Sequence, residues 1–242
     1  MKIKNLFFVS VAIMLMSCNE QSTKENNTDS TTTVATTDSS TALFDGQSLK
    51  GWHGYNKTGE ISNWKVVDGA LVCQGAAPDA HGGDIVTDRD YANFDLSWEW
   101  KVDTGSNSGV MYHVVEDTAY AAPYQTGPEY QVIDDVNFPE KLEEWQKCGA
   151  DYAMTVPNDK KHLKPVGEWN SSRIVFNNGH VDHWLNGEKI VEFEAWNDEW
   201  NKKVATGKWK DYPAYGKAKT GKIALQDHGN KAYFRNIRIK EL

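Results

Sequence analysis

Apolar and polar residues alternate one by one along many short stretches of this chain, which is the pattern of β-strands with one buried face. The clearest stretch is 94–102, where Phe, Leu, Trp, Trp and Val alternate with Asp, Ser, Glu and Lys. Further strand patterns occupy 64–67, 70–73, 109–115, 129–133, 169–176, 180–185 and 189–193. Turns rich in Gly and Asn at 68–69, 177–179 and 186–187 separate several of them. Many short strands with such turns predict an all-β sandwich or barrel.

The last stretch of the chain, 221–229 followed by 233–239, predicts two more strands around a short turn. Gln226 and His228 fall on the strand face opposite Leu225. A strand that buries one face and offers an amide and an imidazole on the other can build a sugar site.

Two stretches have helical rather than strand spacing. Residues 139–147 begin with a proline and are followed by a glycine just past their end, which are start and stop signals of a helix. In 194–205, Trp196, Trp200 and Val204 stand at positions i, i+4 and i+8, on one face of a helix. We expect this aromatic stripe to pack in the core rather than to bind a ligand.

The N-terminus has the features of a bacterial lipoprotein signal. Two lysines precede an apolar run, 6–16, which is too short to span about 30 Å of hydrocarbon as a helix. The residues 15–18, Leu-Met-Ser-Cys, resemble a lipobox, whose cysteine is acylated after cleavage. We therefore expect a signal peptide over 1–17 and lipidation of Cys18. An ordinary signal peptide with an incidental cysteine is the alternative.

Residues 18–41 are dominated by Ser, Thr, Asn and Gln and cannot bury enough apolar surface to offset the entropy cost of ordering. We expect lipidated Cys18 to be followed by a disordered tether through 41, and one folded domain to occupy 42–242. This organisation predicts a periplasmic or cell-surface protein that is held at the bacterial outer membrane by its lipid.

The composition narrows the class of ligand. The net charge is −8 and no basic stripe occurs, which argues against nucleic acid as a partner. Ten tryptophans and ten tyrosines are many for 242 residues, and an exposed aromatic ring is a platform for a sugar ring. A carbohydrate is therefore the expected partner of the folded domain, besides the lipid bilayer at Cys18.

Signals for a metal or a cofactor are weak. No CxxC or HExxH spacing occurs, so neither a zinc site nor a resident cofactor is expected. Asp134, Asp135 and Asp227 could hold a hard cation through oxygen ligands, although Asp135 is better suited to cap a turn. Cys73 and Cys148 could pair in an oxidising compartment or remain buried thiols.

A set of short segments follows one order along nearly all of 42–242. They are 43–46 (LFDG), 49–52 (LKGW), 64–71 (WKVVDGAL), 107–110 (NSGV), 128–134 (PEYQVID), 167–170 (GEWN), 183–187 (HWLNG), 224–229 (ALQDHG) and 234–237 (FRNI). Together they resemble the 3-keto-disaccharide hydrolase family, of which this chain would be a bacterial lipoprotein member. The resemblance implies a concanavalin A-like jelly roll of two antiparallel sheets, with one or two short helices added by the spacing described above. It also implies action on glycosides already oxidised to a ketone at C3.

The implied chemistry needs few residues. A ketone at C3 acidifies the proton at C2, so a base can remove it and the group on C1 can leave by elimination. Water then adds back and completes a net hydrolysis. The protein must supply a base, donors for the enolate oxygen and an acid for the leaving oxygen.

Three residues are candidates for the catalytic base: Glu129, Asp134 and His228. Glu129 and Gln131 share one face of their strand, with Asp134 at its end, whereas Tyr130 occupies the core face. His228 is a candidate because imidazole titrates near neutral pH. The residues leave open which of the three is the base.

Further residues are candidates for substrate binding: Asn107, His113, Gln131, Gln226, Glu99, Lys101 and Trp184. Asn107 and His113 are expected on one face of their strand, where the family tends to place a basic residue, often Arg, near 113. Glu99 and Lys101 share a face and form either a groove pair or a solvated surface pair. Trp184 could stack on a sugar ring or pack in the core.

Two rival functions stay open. A conventional jelly-roll glycosidase needs two carboxylates flanking the bond, but the strand of Glu129 carries Gln at 131 and Ile at 133. A non-catalytic carbohydrate-binding lipoprotein would share the fold, the groove and the aromatic residues, and would need no base.

Overall fold

The alternating pattern produces thirteen β-strands in the residues that the structure, a computed structural model, describes, which are 39–75 and 83–242. The strands are β1 (Thr41–Ala42), β2 (Trp52–Gly54), β3 (Trp64–Val67), β4 (Ala70–Gln74), β5 (Ile85–Thr87), β6 (Phe94–Val102), β7 (Asn107–Val114), β8 (Glu129–Ile133), β9 (Asn170–Asn177), β10 (His180–Leu185), β11 (Glu188–Glu194), β12 (Lys222–Leu225) and β13 (Lys231–Glu241). The expected signal peptide, Cys18 and most of the expected tether lie outside the described residues.

The strands form two antiparallel sheets. The large sheet has the order β11-β10-β9-β6-β13-β4-β3, and β1 also pairs with β13. The small sheet has the order β2-β5-β12-β7-β8. Their inner faces share one hydrophobic core, which confirms the predicted all-β jelly-roll sandwich.

The core is built from alternate residues of the facing strands. In β6, Leu96, Trp98 and Trp100 are at most 2% exposed, and Tyr130 of β8 meets Trp98 edge-on with ring centroids 5.0 Å apart. The Trp100 indole N–H and the Tyr130 hydroxyl both lie 2.8 Å from the Ser172 hydroxyl. The polar ends of Trp100 and Tyr130 are therefore satisfied inside the core, and the large apolar surfaces of these rings stabilise the contact between the sheets.

The strands β12 and β13 are not partners in a hairpin, although only a short segment separates them. β12 lies in the small sheet between β5 and β7, and β13 lies in the large sheet between β6 and β4. The segment 226–230 therefore crosses from one sheet to the other. This segment contains the two candidates Gln226 and His228. Both therefore lie where the chain leaves the small sheet.

Helix α1 (Asp198–Thr206) begins later than the spacing predicted. β11 continues to Glu194, and Asn197 caps the helix by accepting a hydrogen bond from the Trp200 N–H at 2.7 Å. Trp196 lies before the helix with a left-handed φ of 68°, so the stripe that begins at Trp196 is broken. No helix in 39–75 or 83–242 has the length and apolar character needed to cross a bilayer.

The second predicted helix, at 139–147, is wrong. Only a 3-10 turn, Glu144–Gln146, forms there. A capping box closes it, in which the Glu143 N–H donates to the Gln146 side-chain oxygen at 3.0 Å. The backbone is extended again at Lys147, so the start and stop signals enclose a turn that never propagates.

Cys73 and Cys148 are both buried free thiols. Burial raises the pKa of the Cys148 thiol to about 12, and the pKa of Cys73 is also raised by burial. Both thiols are therefore un-ionised at neutral pH and serve as small apolar residues of the core.

The folded part begins slightly before residue 42. Thr41 pairs with Ile239 across β1 and β13, and Arg238 donates to the Ser40 carbonyl at 2.7 Å. Thr41, the last residue of the expected tether, therefore belongs to the large sheet, and Arg238 holds Ser40 beside it.

Candidate functional site

A cavity of about 460 Å³ lies on the outer face of the small sheet, and it is the candidate active site. Its volume falls within the range of about 300–1,000 Å³ that is typical of small-molecule sites. The side chains that carry its chemistry are Asp84, Asn107, Tyr124, Glu129, Gln131, Tyr152, Lys208, Trp209, Tyr212, Gln226, Asp227 and His228. The structure thus brings together five of the candidates from the sequence: Asn107, Glu129, Gln131, Gln226 and His228.

Strand register places four residues in one row across the floor. Gly109 of β7 pairs with Gln131 of β8, and Gln226 donates its backbone N–H to the Gly109 carbonyl at 3.0 Å. The register between β12 and β5 continues this row to Asp84. Because neighbouring strands are about 4.8 Å apart, the backbones of Gly109 and Asp84 lie about 10 Å from each other. That separation leaves room for one sugar ring above the floor.

Glu129 lies at the bottom of the cavity and is 4% exposed. Its carboxylate extends over Gly109, where any Cβ would overlap it. Burial raises the pKa of Glu129 to about 8, the positive charge of Lys208 opposes this rise, and the negative charge of Asp84 adds to it. A buried carboxyl with a pKa near neutrality suits a general base.

Asp84, directly before β5, is a second acid of the floor. Burial raises its pKa to about 7, a hydrogen bond from the Asp227 backbone N–H at 2.7 Å opposes the rise, and the negative charge of Asp227 adds to it. Asp227 in turn accepts hydrogen bonds from the Asn63 side chain and the Gly229 N–H. Asp84 is therefore partly protonated at neutral pH, and it can donate a proton in those molecules in which Glu129 is ionised and accepts one.

Three amide oxygens around the floor lack a protein partner. Within 39–75 and 83–242, no hydrogen bond reaches Asn107 Oδ1, Gln131 Oε1 or Gln226 Oε1. Gln131 is held by its other end, because its Nε2 donates to the Gln146 carbonyl at 3.1 Å. Buried polar atoms are nearly always paired, so these oxygens mark positions where a bound ligand supplies hydroxyl groups.

Aromatic rings form one wall of the cavity: Tyr124, Tyr152, Trp209 and Tyr212. Tyr212 links two of them, with ring centroids 5.7 Å from Tyr124 and 5.8 Å from Trp209. Lys208 lies over the Tyr152 ring at 4.1 Å and donates to its hydroxyl at 2.9 Å. Ring faces beside carboxyl and amide groups offer a sugar both its apolar and its polar contacts.

His228 stands at the exposed rim of the same cavity. Gln226, Asp227 and His228 all line the cavity, because β12 ends at Leu225 and strand alternation no longer applies to them. The position of His228 suits contact with the part of a ligand near the opening, whereas Glu129 meets the part at the floor.

A third carboxyl, Asp151, lies close to Glu129 but does not line the cavity. Asp151 bridges to Tyr130 at the edge of β8 and is fully buried. Neither of its carboxyl oxygens has a hydrogen-bond partner in the described part of the chain. Burial holds the pKa of Asp151 well above its ordinary value, and the negative charge of Glu129 adds to this rise. Burial therefore favours the neutral form of Asp151 beside Glu129.

Asp134, one of the candidate bases, is not in this cavity. Its carboxylate closes the turn after β8 and accepts hydrogen bonds from the backbone N–H groups of Gly105 at 2.8 Å, Val136 at 3.0 Å and Asn137 at 3.1 Å. Burial alone would raise the pKa of Asp134, but these hydrogen bonds outweigh it and hold the pKa below its ordinary value. A carboxylate with occupied lone pairs and a lowered pKa is a poor base, so its place is structural.

His113 faces a different side from Asn107 because a β-bulge interrupts β7. The register between β7 and β12 shifts there, and His113 has a left-handed φ of 52°. Its ring packs on Phe176 with centroids 4.3 Å apart, and its Nε2 donates to the Ala92 carbonyl at 2.8 Å. Burial lowers the pKa of His113, so the residue is a neutral part of the core rather than a donor in the cavity.

The remaining candidates lie on the opposite side of the sandwich, on the outer face of the large sheet: Glu99, Lys101 and Trp184. Glu99 accepts a hydrogen bond from Arg235 at 2.6 Å, and Lys101 lies over the Tyr233 ring at 4.8 Å. Strand alternation correctly predicted that Glu99 and Lys101 face outward, and it left the direction of Trp184 open. A sandwich has two outer faces, however, and the cavity of Glu129 lies on the other one.

The three acids considered for a cation do not converge. Asp134 and Asp135 line a different cavity from Asp227. Asp135 accepts from the Cys148 N–H at 2.8 Å and pairs with Lys161 at 2.5 Å. The residue that caps the turn after β8 is therefore Asp134, not Asp135 as predicted, and the three carboxylates form no shared oxygen site.

The sequence analysis missed Asp84 and the aromatic wall. The available signal for Asp84 was an acid directly before a strand, β5, whose three residues are all buried. Trp209 and Tyr212 follow α1 in a stretch without strand alternation, so no pattern related them to the distant floor. Tertiary packing brings them to the cavity, where the Trp209 indole N–H donates to the Tyr152 carbonyl at 3.2 Å.

Residues 39–240 match the protein family described as the 3-keto-alpha-glucoside-1,2-lyase-like domain. A curated protein of Bacteroides thetaiotaomicron, named 3-keto-disaccharide hydrolase, is 34% identical in an alignment of 224 positions that covers 83% of this chain and 77% of that protein. A crystal structure from Parabacteroides distasonis, provisionally named a glycosyl hydrolase, shares 46% identity at a TM-score of 0.79 and covers 84% of this chain and 94% of its own. A second structure of that bacterium, named in the same way, shares 28% identity at a TM-score of 0.60 and covers 79% and 99%.

The family match covers all thirteen strands except the last residue of β13. These matches confirm the resemblance that the ordered motifs indicated and the predicted class of enzyme, which is glycoside hydrolase- or lyase-like. The chain belongs to the family of 3-keto-alpha-glucoside-1,2-lyase-like domains.

Proposed function

We propose that this domain cleaves 3-keto-glycosides, including 3-keto-disaccharides, with Glu129 as the catalytic base. The observation that carries the proposal is the Glu129 carboxyl, buried at the floor of the cavity with a pKa raised to about 8. The substrate class is supported by the relative from Bacteroides thetaiotaomicron, which is named a 3-keto-disaccharide hydrolase.

The first step is removal of the proton at C2, which the neighbouring ketone makes acidic. The Glu129 carboxylate takes this proton, and the electron pair of the C2–H bond forms the double bond between C2 and C3. The ketone oxygen becomes an enolate. The side-chain amides of Asn107 and Gln226 lie in the same cavity and can donate hydrogen bonds to that oxygen.

The second step is elimination. The enolate re-forms the C3 carbonyl, a double bond forms between C1 and C2, and the bond from C1 to the glycosidic oxygen breaks with its electron pair on the oxygen. Asp84 gives this oxygen a proton, since its raised pKa of about 7 keeps part of it protonated. His228 at the rim is the alternative acid.

Hydration completes the reaction. Water adds its hydroxyl group to C1 and returns a proton to Asp84, while Glu129, whose acidic proton has by then exchanged with solvent, delivers a proton to C2. The products are a 3-keto monosaccharide and the released alcohol or sugar. One water is consumed, both acids return to their starting states, and no oxidant or reductant is needed.

The test compares a 3-keto-disaccharide with its unoxidised parent in D2O. The proposal expects a monosaccharide from the ketone only, with solvent deuterium at C2 in products collected early. The isolated product, incubated alone, corrects for spontaneous exchange at C2. Glu129→Gln should abolish turnover but retain binding, and Asp134→Asn, outside the cavity, is the matched carboxylate control.

The outcomes separate the proposal from its rivals. Release of product without deuterium at C2 would replace elimination by direct displacement at C1. Sugar binding without cleavage of either compound would favour the carbohydrate-binding module.

A conventional glycosidase is the second candidate, because of one observation. Glu129 in β8 and Asp84 directly before β5 are two buried acids with raised pKa values, and β8 and β5 are not neighbours in the sheet. Inverting glycosidases hold their two carboxyl groups about 6.5–9.5 Å apart. The second acid that the strand of Glu129 lacks is thus supplied by the residue before β5. Cleavage of the unoxidised parent would favour this function.

The proposed enzyme is a lipoprotein of the periplasm or cell surface, anchored to the bacterial outer membrane. The support is the basic start, the short apolar run and the lipobox-like residues that end at Cys18. In cells labelled with a radioactive fatty acid, the wild-type chain should carry label and sediment with membranes. The Cys18→Ala variant should carry no label and stay in the soluble fraction; label on that variant would overturn anchoring at Cys18.

A further inference from the structure

A second cleft of about 460 Å³ lies on the outer face of the large sheet, on the far side of the sandwich from Glu129. The side chains that line it come from four adjacent strands of the sheet: β10, β9, β6 and β13. Trp184 pairs with Arg173, Arg173 with Ser97, and Ser97 with Arg238, so these side chains stand in one row across the sheet. The cleft is therefore built into the regular part of the fold and does not depend on loop geometry.

Small residues form the floor of this cleft and large residues form its sides. Ser97 and Ser171 occupy outward positions, and Ser171 pairs directly with Glu99. The Trp184 indole lies 5.6 Å from the Arg173 guanidinium, a cation–π contact that holds the ring in place. Its indole N–H has no hydrogen-bond partner in the described part of the chain, although the nitrogen is buried. A bound ligand can supply the missing acceptor.

The charged groups around the cleft already have protein partners. Arg173 donates to both carboxylate oxygens of Asp95, at 2.6 Å and 2.7 Å. Glu99 accepts from Arg235, and Arg238 is bound to the N-terminal segment. Ions that are paired in this way attract an anionic ligand only weakly. Their remaining donors and acceptors can still serve the hydroxyl groups of a neutral ligand.

We propose that this cleft is a second carbohydrate-binding site, which takes a neutral oligosaccharide with Trp184 as its aromatic platform. An aromatic ring beside carboxylate, guanidinium and hydroxyl groups offers both the apolar and the polar contacts of a sugar ring. Both sheets separate this cleft from Glu129, so binding there needs no cleavage and no ketone. A glycan held at the cleft would raise the local concentration of sugar near the enzyme.

The test is affinity electrophoresis of the full-length, detergent-solubilised protein in native gels with and without pullulan, laminarin or xylan. The wild type, Glu129→Gln and Trp169→Ala should be retarded by at least one of these polysaccharides. Trp169→Ala is the matched control because Trp169 lies under Arg235 on the same face and does not line the cleft. Trp184→Ala should weaken the apparent affinity at least tenfold while it keeps its cleavage of a 3-keto-disaccharide.

A second variant tests the cleft without removing the tryptophan. Ser171→Gln places a longer side chain on the floor at an exposed position, so it should fold and also lose retardation. Retention of full affinity by Trp184→Ala and Ser171→Gln would overturn the proposal. So would failure of all three polysaccharides to retard the wild type, or loss of retardation in Glu129→Gln alone, which would assign binding to the first cavity.

Discussion

The Glu129 carboxylate lies over Gly109, so close that one methyl group at position 109 would occupy the space of Oε1. Glu129 belongs to β8 and Gly109 to β7, and the residue directly opposite Gly109 is Gln131. The acid therefore reaches diagonally across the sheet to the neighbouring strand. The position of the Glu129 carboxylate is therefore set by Gly109, which lies two residues along β7 from the residue that pairs with Glu129.

The Gly109→Ala variant tests this relationship. The added methyl must displace the Glu129 carboxylate, and a shift of about 1 Å in a catalytic group can cost about 10²-fold in rate. We expect kcat/KM for a 3-keto-disaccharide to fall by at least that factor, measured by release of monosaccharide.

Gly54→Ala is the matched control, since Gly54 lies in β2 of the same sheet. A Cβ at 54 would meet only the flexible Lys57 side chain, at 3.3 Å, so activity should be nearly unchanged. Full activity of Gly109→Ala would show that the carboxylate position is irrelevant to turnover.

The pH dependence of kcat/KM should be bell-shaped. The base Glu129 must be deprotonated and has a pKa of about 8, whereas the acid Asp84 must be protonated and has a pKa of about 7. Activity should therefore rise with pH up to about 7 and fall above about 8. In Asp84→Asn, assayed with a 3-keto aryl glycoside whose leaving group needs no proton, the alkaline fall should disappear. An alkaline limb that survives in this variant would assign the acid to another residue.

The Glu129→Gln variant should become more stable than the wild type as the pH rises. Because the pKa of Glu129 is raised from its ordinary value to about 8, the folded protein holds a proton that the unfolded chain releases, and stability is lost between about pH 4.5 and 8. Gln cannot ionise and avoids this loss. Thermal melts should show equal stability of wild type and variant near pH 5 and a higher Tm of the variant at pH 8.5.

The Glu116→Gln variant is a control, because its effect on stability at high pH should be opposite to that of Glu129→Gln. Burial alone would raise the pKa of Glu116, but hydrogen bonds from His53 and the Asn56 N–H outweigh it and lower the pKa. The ionised Glu116 carboxylate stabilises the folded protein above its ordinary pKa, and this stabilisation is lost as the pH falls through its lowered pKa. Glu116→Gln should therefore reduce Tm at pH 8.5 and have little effect in acid. A Tm gain in both variants would point to a general charge effect instead.

Asp134→Asn should affect stability and leave catalysis intact. Its carboxylate accepts hydrogen bonds from the backbone N–H groups of Gly105, Val136 and Asn137, and an amide satisfies them poorly. A loss of about 1–3 kcal/mol is expected for such buried hydrogen bonds, measured by urea unfolding at pH 7. The kcat/KM per folded molecule should match the wild type; a fall of 100-fold or more would return Asp134 to the list of bases.

Local pattern determined much of this protein. Period two in β6 and β8 sets which side chains point into the core and which point out, because successive residues of a strand face opposite sides of the sheet. That rule was enough to predict the sandwich and the outward direction of Glu129 and Gln131, whereas it left Trp184 open between a sugar platform and the core. The ordered motifs were enough to predict the family.

Tertiary structure decided which outward residues meet. Glu129 and Trp184 both face outward, but their strands pair into different sheets, so they lie on opposite sides of the sandwich. The bulge at His113 reverses one residue of a regular strand, and Asp84 reaches the floor through β12, about 140 residues away in sequence. Strand alternation carries no information on such long-range pairings, because the partner of each strand is chosen by packing over the whole core.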